Sequence, residues 1–202
     1  MMKLRLRGRI AWVCGALMLG VLAGCASDEA PSETLPMIAP GHLLTLPAPG
    51  DLGRSVEAAQ LITVRREGNT YVFEGHISVT PEKFLLVGVD GTGRRALTLT
   101  WDRLGKVTAE TAPWMPDAIS PGPMLADIVV LYWPEAIVRR ALKESGATLA
   151  VGNGSRTVTA DGVQILRAEY QGGAEAPWSG KLRYRNDAWG YDIEVQSVEL
   201  AP

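Results

Sequence analysis

Polar and apolar positions alternate with a period of two over most of the chain beyond residue 50. Tyr71, Phe73, Gly75, Ile77 and Val79 share one face, and Glu74, His76 and Ser78 share the other, the pattern of a half-buried strand. The segment 66–70 reads as a turn, so residues 60–65 pair with that strand as a hairpin. Residues 84–89 form a continuous apolar strand, and Asp90-Gly91 signals a hairpin because both residues tolerate positive φ. Leu97, Leu99 and Trp101 then alternate with Thr98 and Thr100, and a turn at Gly105 leads into residues 107–111. This is an antiparallel meander.

The period changes after Pro113. Pro113, Pro116, Pro121 and Pro123 punctuate an irregular crossing, and Pro121-Gly122-Pro123 reads as a hinge. Residues 124–133 place Leu125, Ile128, Val129 and Tyr132 at helical spacing. Pro134 suits the first turn of a second helix, where a missing N–H costs nothing. That helix has an apolar stripe of Ile137, Val138, Ala141 and Leu142, and Gly146 is its expected stop. Strands resume over 148–151, 156–160 and 163–171, with a loop at 152–155 and a hairpin across Asp161-Gly162. Leu182 and Tyr184 alternate with Lys181, Arg183 and Arg185, and Tyr191, Ile193 and Val195 follow. Near Ser197 the phase slips to Val198 and Leu200, which predicts a bulge.

The expected fold class is mainly β with inserted helices (α+β). A sheet of about nine to eleven strands twists and curls, and the helical pair must bury its apolar stripe. A curled antiparallel half-barrel covered by the helical pair satisfies both demands. The expected hydrophobic cavity lies between Met124, Leu125, Ile128 and Tyr132 on the helix and Phe73, Leu97, Leu99 and Trp101 on the sheet. Trp133 is expected at its rim.

The N-terminus follows a different logic. Lys3, Arg5, Arg7 and Arg9 precede an apolar run over 10–21. That run falls short of the about 20 residues a spanning helix needs, and it fits a secretory signal. Leu22-Ala23-Gly24-Cys25 follows, which resembles a bacterial lipoprotein signal, and the resemblance implies that Cys25 is acylated and becomes the first mature residue. Ala26 and Ser27 stand after it, with the first acid at Asp28. By the enterobacterial sorting pattern this implies the periplasmic face of the outer membrane. The expected division is therefore a signal peptide over 1–24, a flexible tether over 25–50, rich in Pro, Ala and Ser, whose residues 43–47 are expected to dock as an early edge strand, and a folded domain over 51–202.

Charge and chemistry narrow the function. Four of the 20 Lys and Arg residues precede Cys25 and all 22 acids follow it, so the mature chain carries 16 basic against 22 acidic residues, a net −6. Such a chain is a poor partner for nucleic acid and for anionic head groups, so membrane attachment falls to the acyl chains. Cys14 leaves with the signal and Cys25 carries lipid, so no disulfide and no thiolate site remain. The two histidines, His42 in the tether and His76 on a polar strand face, make no metal site. Neither a Gly-x-Ser-x-Gly elbow nor an HExxH helix occurs, and residues 152–155 lack the lysine of a phosphate loop. No catalytic residue, metal or cofactor is expected, and the protein is expected not to be an enzyme.

Leu125-Ala126-Asp127 running into Trp133-Pro134-Glu135, with Gly93, Leu97, Leu99, Trp101 and Asp102 ahead of it, resembles a family of short outer-membrane lipoproteins. That family is of unknown function and is often encoded in aryl polyene gene clusters. Asp127, Trp133 and Pro134 are the matching motif residues, and Arg156, Gly162 and Tyr170 sit where that family has its arginine, glycine and tyrosine. The family is similar in fold to the lipoprotein carrier and receptor LolA and LolB, half-barrels that hold acyl chains under helices. The resemblance implies binding or transfer of a hydrophobic molecule: an acyl chain, a lipoprotein or an aryl polyene lipid. The hairpin comparable to the receptor's apolar membrane-inserting loop is polar here, at residues 90–95. The other reading is a structural or assembly lipoprotein whose barrel is filled by its own side chains. Either way the expected partners are the membrane, through the acyl chains, and a hydrophobic ligand or lipoprotein, with the chain a monomer. Replacing Cys25 by Ser is expected to abolish labelling by tritiated palmitate in cells, and continued labelling would refute the acylation site.

Overall fold

The structure is a computed structural model that describes residues 35–115, 120–172 and 176–200. The signal segment, Cys25 and the tether up to residue 34 lie outside the described residues, as does Pro116. A short ribbon of β1 (Met37–Ala39) and β2 (His42–Leu43) comes first, followed by a 3-10 turn at Pro49–Leu52. The first meander is β3 (Val56–Arg66), β4 (Asn69–Val79), β5 (Lys83–Asp90), β6 (Arg95–Asp102) and β7 (Val107–Thr111). Two helices follow, α1 (Pro121–Tyr132) and α2 (Glu135–Leu142). The second meander is β8 (Thr148–Gly152), β9 (Ser155–Ala160), β10 (Val163–Gln171), β11 (Gly180–Asn186) and β12 (Tyr191–Glu199).

The two meanders merge into one ten-stranded sheet of order β7-β6-β5-β4-β3-β12-β11-β10-β9-β8, antiparallel throughout and not closed into a barrel. The first and last strands, β3 and β12, pair at its centre. The chain therefore leaves the sheet at one edge, β7, and re-enters at the opposite edge, β8. Held flat, those edges would lie about 43 Å apart at a spacing of about 4.8 Å per strand, whereas a 12-residue helix is only about 18 Å long. The connection over residues 112–147 carries the chain between the two edges, and α1 within it lies against the inner face. Ten of the helix's residues, Gly122, Pro123 and Leu125 to Tyr132, are buried accordingly. The expected one-sided stripe on α1 is thus a helix buried on all sides, as an apolar run around the whole circumference requires.

Local chemistry explains the boundaries. Glu67-Gly68 and Asp161-Gly162 turn with positive φ at both positions (50° and 78°, 52° and 78°), the geometry of tight two-residue hairpins. Pro121-Gly122-Pro123 is the first turn of α1 rather than a hinge, so α1 begins three residues before the expected Met124. Both prolines lack an N–H, and the Met124 N–H bonds to Ser120 O at 3.2 Å, so among the first four helical positions only Gly122 keeps an uncapped donor. At the other end Trp133 (φ −81°, ψ 155°) and Pro134 (φ −54°, ψ 144°) are both extended and separate α1 from α2. Gly146 ends the helical region with φ 70°.

Two expectations are corrected here. Packing starts before residue 51: Ile38, Ala39 and Leu44 are buried in the common core, and Thr45 N–H bonds to Ala141 O of α2 at 3.0 Å. His42 is docked as well, its Nδ1 2.8 Å from Ser145 O and its Nε2 3.2 Å from Asp161. The apolar residues of this segment are spaced irregularly, so neither helical nor strand periodicity marks them. The second correction concerns Ser197, where β12 pairs with β3 without a register shift from Tyr191 to Glu199. Ser197 points inward because it has a buried polar partner, and Val198 is left 63% exposed. The outer face of the sheet carries charge ladders such as Arg183–Glu194 and Arg185–Asp192.

Candidate functional site

The inner face holds two zones. Around the end of α1, Trp101 stacks on Phe84 at a centroid distance of 3.9 Å, and Trp133 lies 5.2 Å from Trp101. Trp101 Nε1 donates to Pro47 O at 3.1 Å, which fastens the N-terminal segment over this aromatic cluster. Leu125, Leu99, Trp101 and Trp133 are fully buried here as core. Trp133 is therefore not a rim residue, and neither Leu99, Trp101 nor Leu125 reaches the cavity described next.

The second zone is a cavity of about 90 Å³ between α1 and strands β3 to β6, β11 and β12. Of the expected lining residues, Phe73, Leu97, Met124, Ile128 and Tyr132 meet there. The void has a backbone cause. Gly75 and Gly88 face each other across β4 and β5, on the phase of each strand that points inward. At Gly75 an added Cβ would come within 3.1 Å of Ile62 Cδ1, whereas at Gly88 it would meet only Leu97 Cβ at 3.6 Å. The bare patch at Gly88 thus leaves space that a strand residue with a side chain would fill. Among the described residues every one that lines the cavity is uncharged, and Gln60, Ser120, Tyr132, Tyr184 and Tyr191 are the polar ones.

Two buried polar clusters adjoin it. Asp127, 0% exposed, turns from α1 toward the second meander, where Asn186 Nδ2 donates to it at 2.9 Å and the Tyr191 hydroxyl at 2.5 Å. Burial pushes the Asp127 carboxyl up to about 7, although the Tyr191, Asn186 and Tyr184 side chains pull the other way. Burial also holds Tyr184 and Tyr191 well above the ordinary tyrosine value, so both remain proton donors. In the other cluster Gln60 Nε2 donates to the Tyr132 hydroxyl at 2.9 Å and to Ser197 Oγ at 3.0 Å. Burial pushes Tyr132 up to about 12, and its ring stacks on Trp178 at 4.3 Å.

The motif residues have structural partners. Pro134 has no N–H for the carbonyl of Val130, the bond that an i to i−4 ladder would make. Arg156 of β9 supplies it: Nη1 donates to Val130 O at 2.6 Å and to Trp133 O at 2.8 Å. The Tyr170 hydroxyl of β10 donates to Leu131 O at 2.7 Å. Asp127 does not cap this break but ties the helix to β11 and β12.

Gln60, Gly88, Tyr184, Asn186 and Tyr191 escaped the sequence reading as site residues. Gln60 gave a usable signal, since Ala58, Ile62 and Val64 share its phase and a polar residue among them is out of place. Gly88 gave one too, as a gap in an apolar run. Asn186 and Tyr191 gave none, because their role exists only once β11, β12 and α1 converge.

Among the described residues no group of three or more His, Cys, Asp or Glu side chains could hold a metal ion. No helix among them is long and apolar enough to cross a membrane.

Asp127 sets a pH dependence. Its folded-state value of about 7 lies above the ordinary 3.8, so the folded chain holds this proton more tightly than the unfolded chain does. The stabilisation is complete below about pH 4 and is lost as pH rises through about 7. Wild type is expected to lose stability across that window, and Asp127→Asn to show a flatter profile in urea titrations. Asp127→Ala is expected to cost more than about 1 kcal/mol at pH 5, because Asn186 and Tyr191 lose their buried partner. A change within about 0.5 kcal/mol, usual for surface sites, would contradict this account.

Comparison with curated proteins finds none that matches the chain. A family model does match, over residues 57–199, which takes in both meanders and both helices. The chain belongs to the DUF3261 family of proteins of unknown function.

Proposed function

We propose that this chain is a non-catalytic lipoprotein, anchored through acyl chains on Cys25 to the periplasmic face of the outer membrane. Its LolA/LolB-like half-barrel binds, or helps transfer, a hydrophobic molecule: an acyl chain, a lipoprotein or an aryl polyene lipid. The observation that carries the reading is the apolar, uncharged cavity between α1 and the sheet, opened by the missing side chain at Gly88. Sites for small ligands are concave and mostly apolar, with a few placed polar groups. The cavity, at about 90 Å³, is smaller than the roughly 150 Å³ void that takes up benzene. A longer chain therefore needs Met115 and Met124, unbranched side chains in the lining, to swing aside; methionine repacks readily.

The N-terminal pattern supports the anchor. The turn at residues 90–95 is closed by Asp90, whose carboxylate accepts from Thr92 and Arg94. That polar turn favours holding a ligand over inserting one into a bilayer. The burial of α1 on all sides favours the second reading, a structural or assembly lipoprotein with a self-filled barrel.

Titration of a fluorescent polyene probe, or of a fluorescent fatty acid at a pH that keeps its carboxyl protonated, into the chain from residue 25, made with Cys25→Ala so that no lipid competes, separates the two. Micromolar binding, about −8 kcal/mol, with a change in Trp emission through Trp178 against Tyr132, is expected for the carrier. Gly88→Val, which fills the void, is expected to abolish binding and leave the fold intact. Absence of binding, or binding that Gly88→Val leaves unchanged, would contradict the carrier reading and favour the self-filled barrel.

A further inference from the structure

Gln60, a polar residue lining the cavity, keeps an atom that no described residue engages. Gln60 is 6% exposed and sits on the inward phase of β3. Its amide nitrogen is spent on Tyr132 and Ser197, and its carbonyl oxygen Oε1 receives no hydrogen bond among the described residues. Trp133 Nε1 and Arg156 Nε are also without partners, but they are sealed inside the core. Gln60 Oε1 is not among those sealed atoms, and the residue lines the cavity. Buried polar groups are kept because something hydrogen-bonds them, and an amide oxygen needs a donor.

The surroundings restrict which donor fits. Among the described residues the lining contains no Lys, Arg or His to balance an anion. A cation fares little better, because an unpaired ion in an apolar void bears a large desolvation cost.

We propose that Gln60 Oε1 is the recognition point for the ligand's polar head, and that this head is uncharged and carries an O–H or N–H donor. An alcohol, an amide or a protonated carboxylic acid attached to an apolar chain has that chemistry. Phosphate heads and ionised carboxylates do not. Hydrocarbon and ether chains enter the void but leave the oxygen unpaired. The proposal rests on the ligand-binding reading of the cavity and adds the head-group class.

The test uses the chain from residue 25 with Cys25→Ala and two ligands of equal chain, decan-1-ol and 1-methoxydecane, followed by calorimetry or displacement of a fluorescent probe. The ether keeps the oxygen acceptor and loses the donor. Decan-1-ol is expected to bind about tenfold more tightly, in line with one net hydrogen bond inside an apolar site. Gln60→Met, similar in length and without the amide, is expected to bring the two ligands within about twofold of each other. A second comparison needs no variant: decanoate at pH 8 is expected to bind at least about tenfold more weakly than decan-1-ol. Equal binding of alcohol and ether by wild type overturns the proposal, as does an alcohol preference that survives Gln60→Met or tight binding of the ionised acid. If neither decan-1-ol nor its ether binds, the ligand-binding reading itself falls, a result distinct from equal binding.

Discussion

The architecture depends on how α1 ends. The helix is buried on every side, so its last carbonyl groups cannot turn to water, and an unpaired buried carbonyl costs about 1–3 kcal/mol. Pro134 removes the N–H that Val130 O would take, and the extended backbone of Trp133 and Pro134 carries the chain away before another turn can form. Arg156 and Tyr170, from adjacent strands of the second meander, provide the donors for Val130, Leu131 and Trp133. A guanidinium at a helix C-terminus is also favoured by the helix dipole, and this one lies over the Tyr170 ring at 5.9 Å. The helix is thereby held to β9 and β10 by its C-terminus.

With that end fixed, the remaining contacts of α1 divide the inner face. Trp133, Trp101 and Phe84 fill the region that the N-terminal segment covers through Pro47 and Ile38. Asp127 ties the middle of α1 to Asn186 and Tyr191 of β11 and β12. Gln60 and Ser197, on the two strands that join the meanders, meet Tyr132. The helix is thus hydrogen-bonded to the central pair β3–β12 and to the second meander, while among the described residues no hydrogen bond joins it to β4, β5 or β6. The void borders β3, β11 and β12 as well, but Gly88, which contributes no side chain, stands on that looser side. Ligand-binding plasticity belongs on such a side, because apolar contacts can slip and re-form without orphaning a polar group.

Periodicity predicted the two meanders, the intervening helices and most hairpins, because tight turns and alternating faces are local properties of the sequence. It also predicted that the apolar side of the sheet and the helices would cover each other. What it missed is non-local. Ile38 sits in a Pro-rich segment whose composition imitates a linker, and only its contact with the core reveals it. Ser197 imitated a bulge because a polar residue on the buried phase looks like a slip until Gln60 is found beside it. Trp133 was placed at a rim from its position at the helix break, but the break turns inward against Phe84 and Trp101. Arg156 and Tyr170 drew notice only as family positions; their work on the carbonyls of α1 follows from the missing N–H of Pro134.

Arg156→Met, measured by urea unfolding against wild type, tests this account most directly. The substitution keeps the length of the buried stem and removes both donors to the helix end. A loss of at least about 2 kcal/mol is predicted, the scale for hydrogen bonds from a charged group to buried acceptors. A loss within about 0.5 kcal/mol, the range of a surface substitution, would show that the helix end is satisfied in another way and would contradict the account.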